Sequence, residues 1–173
     1  MAKPLVGIVM GSDSDLPVMK GAVDILKQLG IESEVVISSA HRVPEKTAQY
    51  AKSVEERGLK VIIAGAGMAA HLPGVIAAST ILPVIGVPIQ SGALAGTDAL
   101  YAIVQMPPGI PVATMAVNGA KNAGIFAAQV LSVKYPEIGE KVKIYRQQLA
   151  DEVNAKAIKL ERLGIEGYLS EKK

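Results

Sequence analysis

Two histidines, His41 and His71, are the only imidazoles in the chain, and each follows a run of apolar residues. His41 sits in "ISSAHRVPEK" with Ser38 and Ser39 before it and Arg42 after it. His71 lies in "GAGMAAHLPG". A free imidazole, with its pKa near ~6.5, gives and takes protons at neutral pH, and such general acid–base action typically contributes ~10²–10⁴-fold to a rate. A guanidinium beside it grips an oxyanion through two N–H groups, and serine hydroxyls add further donors. A lone histidine is more often structural, and Pro44 reads equally well as the first residue of a helix. What favours chemistry is the meeting of imidazole, guanidinium and hydroxyls at the end of one apolar run. That combination suits a ligand with a phosphate and a proton-transfer centre.

A third polar stretch, "GSDSD" (Gly11 to Asp15), offers Ser12, Asp13 and Ser14 as helix caps. Its glycine also lets backbone approach an anion at a helix start. Two carboxylates would repel a phosphate. The serine hydroxyls and amides are therefore expected to face the anion, with one aspartate taking a neutral donor such as a sugar hydroxyl.

These stretches need a scaffold that gathers them. Short apolar or β-branched runs at Leu5 to Met10, Glu34 to Ser38, Lys60 to Ala64, Pro83 to Pro88 and Val112 to Val117 read as strands. Between and after them, Asp15 to Leu29, Pro44 to Arg57, Leu72 to Ser79, Gly96 to Gln105 and Ala120 to Val133 read as helices. Strand and helix in alternation predict a parallel sheet with helices on both faces: a three-layer α/β/α sandwich in which the strands are continuously buried. Ligands of such sheets bind beyond the carboxyl ends of the strands, where the three polar stretches would converge. Pro136 to Leu163 reads as an amphipathic C-terminal arm that either covers its own sheet or reaches over a neighbouring protomer. One domain over residues 1–173 is expected, with a core over 1–133 and the helical arm, at subunit contacts, over 134–173.

Composition excludes several classes. No cysteine is present, which rules out disulfides and thiolate metal sites and fits a reducing compartment, so cytoplasm is expected. The first residues show neither a signal nor a transit peptide pattern. A net charge of +2, scattered basic residues and a single Phe give no nucleic-acid surface. Between Val61 and Ala120 the one charged residue is Asp98, yet prolines and glycines cut the apolar runs too short for a membrane span. So much uncharged surface predicts a homo-oligomer. "GAGMAA" fits the G-x-G-x-x-A dinucleotide pattern, but no acid stands about 20 residues on to hold a ribose. No Walker, G-x-S-x-G or H-E-x-x-H motif occurs, and two histidines without cysteine make a poor metal site.

Together "VMGSDSD", "SSAHRVP" and "IAGAGMAAHLPG" resemble the signature of the N5-carboxyaminoimidazole ribonucleotide mutase family of purine biosynthesis. The resemblance continues through "LPVIGVPIQSGALAGTDALYAIVQMPPGIPVATMAVNGAKNA" and spares mainly the arm. It implies a flavodoxin/Rossmann-like subunit in an octamer that moves a carboxylate from the exocyclic nitrogen of an aminoimidazole ribonucleotide to ring carbon 4, without cofactor or metal. By similarity His41 matches the general acid/base, and Ser12, Asp15 and Arg42 match substrate-binding positions. Ser14, Ser39, Ala40, Gly67, His71 and Leu72 are expected to join them, His71 matching the histidine of the mutase branch. The related branch, which carboxylates aminoimidazole ribonucleotide directly with CO2, has a different loop there. A non-catalytic nucleotide-binding module is the alternative from another class. This chain departs from the family in carrying Met68 where glycine is usual; a positive φ there would strain the methionine.

The residue types suit that chemistry. A carbamate loses CO2 once its nitrogen accepts a proton, carbon 4 of the electron-rich ring then attacks CO2, and that carbon must lose its own proton. One imidazole can do both transfers. Keeping CO2 in place requires a closed pocket with little water, for which the Gly/Ala-rich third stretch offers small walls.

Overall fold

A computed structural model describes residues 3–171. Five strands, β1 (Val6–Met10), β2 (Ser33–Ile37), β3 (Val61–Gly67), β4 (Val84–Ile89) and β5 (Ala113–Thr114), form one all-parallel sheet in the order β2-β1-β3-β4-β5. The order reverses direction between β1 and β3. Crossovers on either side of that point go to opposite faces, which opens a crevice at the carboxyl edge.

Alternate residues of each strand feed two cores, as a period of two demands. Val6, Ile8 and Met10 of β1 and Val61 and Ile63 of β3 pack beneath α1 (Leu16–Gln28) and α5 (Ala120–Ser132). Val9, Ile62 and Ala64 face α2 (Pro44–Ser53), α3 (Leu72–Ala77) and α4 (Thr97–Val104). On α1 the buried Met19, Ala22, Ile25 and Leu26 recur at helical spacing. Small residues on α5 let the two helices approach closely: a Cβ on Gly124 would lie 3.1 Å from the Ala22 carbonyl oxygen. After α1 and after α2 the chain leaves through the same cap. Gly30 (φ 67) and Gly58 (φ 93) take the left-handed conformation, and Ile31 and Leu59 donate back to the carbonyls of Leu26 and Val54.

Three elements differ from the sequence expectation. Strand β2 is not continuously buried; it is the sheet edge, and Val35 and Ile37 are nearly half exposed. Strand β3 runs on to Gly67, placing Gly65 and Gly67 inside the sheet. Met19 occupies the space where a side chain on Gly65 would go. Strand β5 is two residues long because its neighbour β4 carries Pro88. Met115 donates to Gly86, but the return bond of a parallel ladder needs an N–H at position 88, which proline lacks. The chain swings out and closes instead with the Asn118 N–H on the Pro88 carbonyl, 2.8 Å.

The arm, α6 (Pro136–Ser170), docks through Ile138, Val142 and Tyr145 onto the α1/α5 core. Beyond these, Leu149, Val153, Ile158 and Leu160 are exposed. Its regular part ends at Gly164 (φ 64, ψ 176), one residue past the expected end. Glu171 then reaches Lys159 at 2.5 Å, and since twelve residues of straight helix span about 18 Å, the tip folds back. No helix among the described residues is long and apolar enough to cross a membrane.

Candidate active site

At the carboxyl edge, the turns after β1, β2 and β3 enclose a cleft of about 520 Å³, a size usual for small-molecule ligands. Of the residues singled out in the sequence, Ser12, Ser14, Asp15, Ser39, Ala40, His41, Arg42, Gly67, His71 and Leu72 line it.

The β1 turn is tied to itself. Ser12 caps a single 3-10 turn at Asp13–Asp15: its Oγ accepts from the Ser14 N–H, while Asp15 Oδ2 accepts from the Ser12 N–H at 3.1 Å. Capping and site-building are thus done by the same side chains. Asp13 is exposed, whereas Asp15 is buried, and that burial pushes its carboxyl above the ordinary carboxylate range, against the opposing pull of backbone N–H bonds and the more distant Arg42.

Arg42 joins two turns. Its Nη2 donates to the Gly11 carbonyl at 3.0 Å, and its Nε to Ser39 Oγ at 3.4 Å. Those bonds leave other N–H groups of the fork for a ligand. Ser38, expected among the ligand donors, instead turns inward and bonds Thr47 Oγ1 at 2.8 Å. Successive side chains at the end of β2 point to opposite sides, so Ser39 faces the cleft and Ser38 cannot.

The imidazoles meet. His41 Nε2 and His71 Nδ1 are 2.6 Å apart, with ring centroids at 4.7 Å and planes at 65°. At that separation the two rings are hydrogen-bonded, one nitrogen carrying the hydrogen and the other presenting its lone pair.

Met68 adopts φ 54, the left-handed conformation that favours glycine, and its side chain is exposed at the cleft mouth. For a side chain with a Cβ this conformation costs about 1–2 kcal/mol. The cleft also includes Ser91, which follows β4 and escaped the sequence reading. A serine before glycine reads as an ordinary turn; only the sheet order brings it to the site. Among the described residues, no three His, Asp or Glu side chains converge as a metal site would require.

An open parallel sheet of this strand order, with a cleft at its switch point and paired imidazoles beside an arginine, has the architecture of an α/β enzyme with its site at the strand carboxyl ends. Residues 5–152 match the family AIR carboxylase, and the chain belongs to that family. It is 59% identical over 98% of its length, and 99% of the relative's, to the N5-carboxyaminoimidazole ribonucleotide mutase of Thermotoga maritima. It is 61% identical over 98% of its length, and 96% of the relative's, to the protein of that name from Pyrococcus horikoshii. The phosphoribosylaminoimidazole carboxylase of Saccharomyces cerevisiae is 52% identical over 99% of this chain, which spans 30% of that longer protein. Among solved structures, Treponema denticola PurE superposes with a TM-score of 0.83 at 34% identity, covering 91% of this chain and 98% of that one.

Proposed function

We propose that the cleft moves the carboxylate of N5-carboxyaminoimidazole ribonucleotide from the exocyclic nitrogen to ring carbon 4, an isomerisation in purine biosynthesis. The observation that carries this reading is the contact between His41 and His71 beside Arg42 and Asp15, in a chain about 60% identical to proteins named for the reaction.

The residues divide the work. Arg42, with the hydroxyls of Ser12 and Ser14, takes the phosphate, and Asp15 accepts from a ribose hydroxyl. A carboxylate already disfavoured as an anion by burial gains from such donors. His41 protonates the carbamate nitrogen, the N–C bond breaks and neutral CO2 is released. Carbon 4 attacks CO2, a C–C bond forms, and the proton leaving carbon 4 returns to the imidazole pair. One proton goes out and one comes back, with no change of oxidation state. His71, bonded to His41, holds its ring and its tautomer.

The same reading includes a cytoplasmic homo-oligomer, an octamer. In its support, Ile81, Leu94 and Tyr101 are exposed within the nearly uncharged stretch, and Asp98 Oδ1 is buried without a hydrogen bond among the described residues. Subunit contact would cover the first and partner the second; ultracentrifugation reads the assembly size.

The deciding experiment compares substrates at steady state. Turnover of the carbamate without added bicarbonate is expected. Because the yeast relatives carry a carboxylase name, the contrary result is specific: product formed from aminoimidazole ribonucleotide and CO2 while the carbamate goes unused.

A further inference from the structure

One buried polar atom in the cleft has no part in the mechanism above. Ser91 Oγ is buried and makes no hydrogen bond among the described residues, yet Ser91 lines the same cleft as His41, Arg42 and His71. A buried hydroxyl left unpaired is destabilising and calls for a reason.

Its surroundings hold it in place. The Gln90 N–H donates to Asn118 Oδ1 at 2.9 Å, and Asn118 Nδ2 donates to Gln90 Oε1 at 3.3 Å, with Asn118 itself at φ 59. Beside it stands Gly67, where a Cβ would come within 2.6 Å of Ser91 Oγ and 3.1 Å of the Ile89 carbonyl oxygen. Glycine keeps that space empty.

The chemistry of this side of the cleft is distinctive. Apart from His71, which is bonded to His41, its wall consists of Ala66, Gly67, Met68, Ala69, Leu72 and Ser91, none of them charged, whereas Asp15 and Arg42 follow β1 and β2. A phosphate dianion belongs with Arg42. A neutral molecule the size of CO2, or the carboxyl group that releases it, suits small apolar walls with one hydroxyl donor.

Resting on the mutase reading, we propose that Ser91 is a carboxyl-binding residue: its hydroxyl donates to an oxygen of the migrating group and holds CO2 against carbon 4 between cleavage and recapture. Ser91 keeps its proton throughout. As carbon 4 attacks, negative charge returns to the CO2 oxygens and the hydrogen bond strengthens, so the contact acts in the transition state more than in the ground state.

The test is Ser91→Ala, first establishing that wild type turns over the carbamate; failure there removes the mutase reading itself. With that in hand, the variant should melt no lower than wild type, since it loses an unpaired hydroxyl rather than a bond. Its kcat should fall roughly tenfold or more with little change in KM. Product formed in ¹³C-bicarbonate should carry more label than wild-type product, because CO2 escapes before recapture. A kcat within about twofold of wild type, a lowered melting temperature accompanying the loss, or label incorporation equal to wild type would each overturn the assignment.

Discussion

The two sides of the cleft treat their polar groups in opposite ways. On the β1/β2 side nearly every one is engaged: Ser12 with Ser14, Asp15 with Ser12, Arg42 with Gly11 and Ser39. On the β3/β4 side, His71 apart, the wall is apolar, and its hydroxyl, Ser91 Oγ, stands unpaired among the described residues. A pre-tied charged rim is a stiff receptor for the permanently charged end of a ligand, because its donors need no reorganisation to bind. An unpaired group in a plain wall serves a group present for only part of the reaction. Between the two sides the His41–His71 contact spans the β2 and β3 turns.

Breaking the bridge between the sides should have the largest effect. His41→Asn is expected to lower kcat by about 10²–10⁴-fold while calorimetry still detects ribonucleotide binding; near-normal turnover would remove His41 from the proton path. Next comes the charged side. Arg42→Ala should raise KM by roughly 10–100-fold, the worth of a charge-assisted contact, and unchanged affinity would refute its role at the phosphate. The mouth of the apolar side gives a smaller effect. Met68→Gly relieves left-handed strain but loosens the unfolded chain, for a net gain in stability below about 1 kcal/mol. A loss on denaturant titration would mean the methionine is not strained.

The smallest effect concerns Asp15. Its folded carboxyl is raised, chiefly by burial, so the native state holds its proton to higher pH than the unfolded chain does. Ionising it therefore costs the fold more, and its contribution to stability declines as pH rises from near 3.8 to the raised value, then levels off. Asp15→Asn lacks this decline. Melting curves of the two proteins should diverge, in favour of the variant, across that window; parallel curves would show that burial is not felt at Asp15.

Most of the scaffold was legible because buried parallel strands and amphipathic helices have distinct periods, and glycines such as Gly30 and Gly58 mark where helices stop. The ten expected site residues share the cleft because the rule that ligands sit beyond strand carboxyl ends needs only strand positions. What stayed hidden depends on neighbours in space. Nothing in "SEVVI" shows that β2 is an edge, nor does "SSAH" show which serine turns inward. Ser91 gains meaning only when β4 lies beside β3 and Gly67 beneath it. Met68 was readable as a geometric problem, and its φ of 54 shows that the fold tolerates the strain.

Pro88 looks like a flaw in β4, and removing flaws is the usual route to a tougher protein. An alanine there would restore a donor and invite β5 to zip on past Thr114, drawing Asn118 away from Gln90. Selection for heat resistance alone would then favour a tidier sheet whose catalytic rim has come loose.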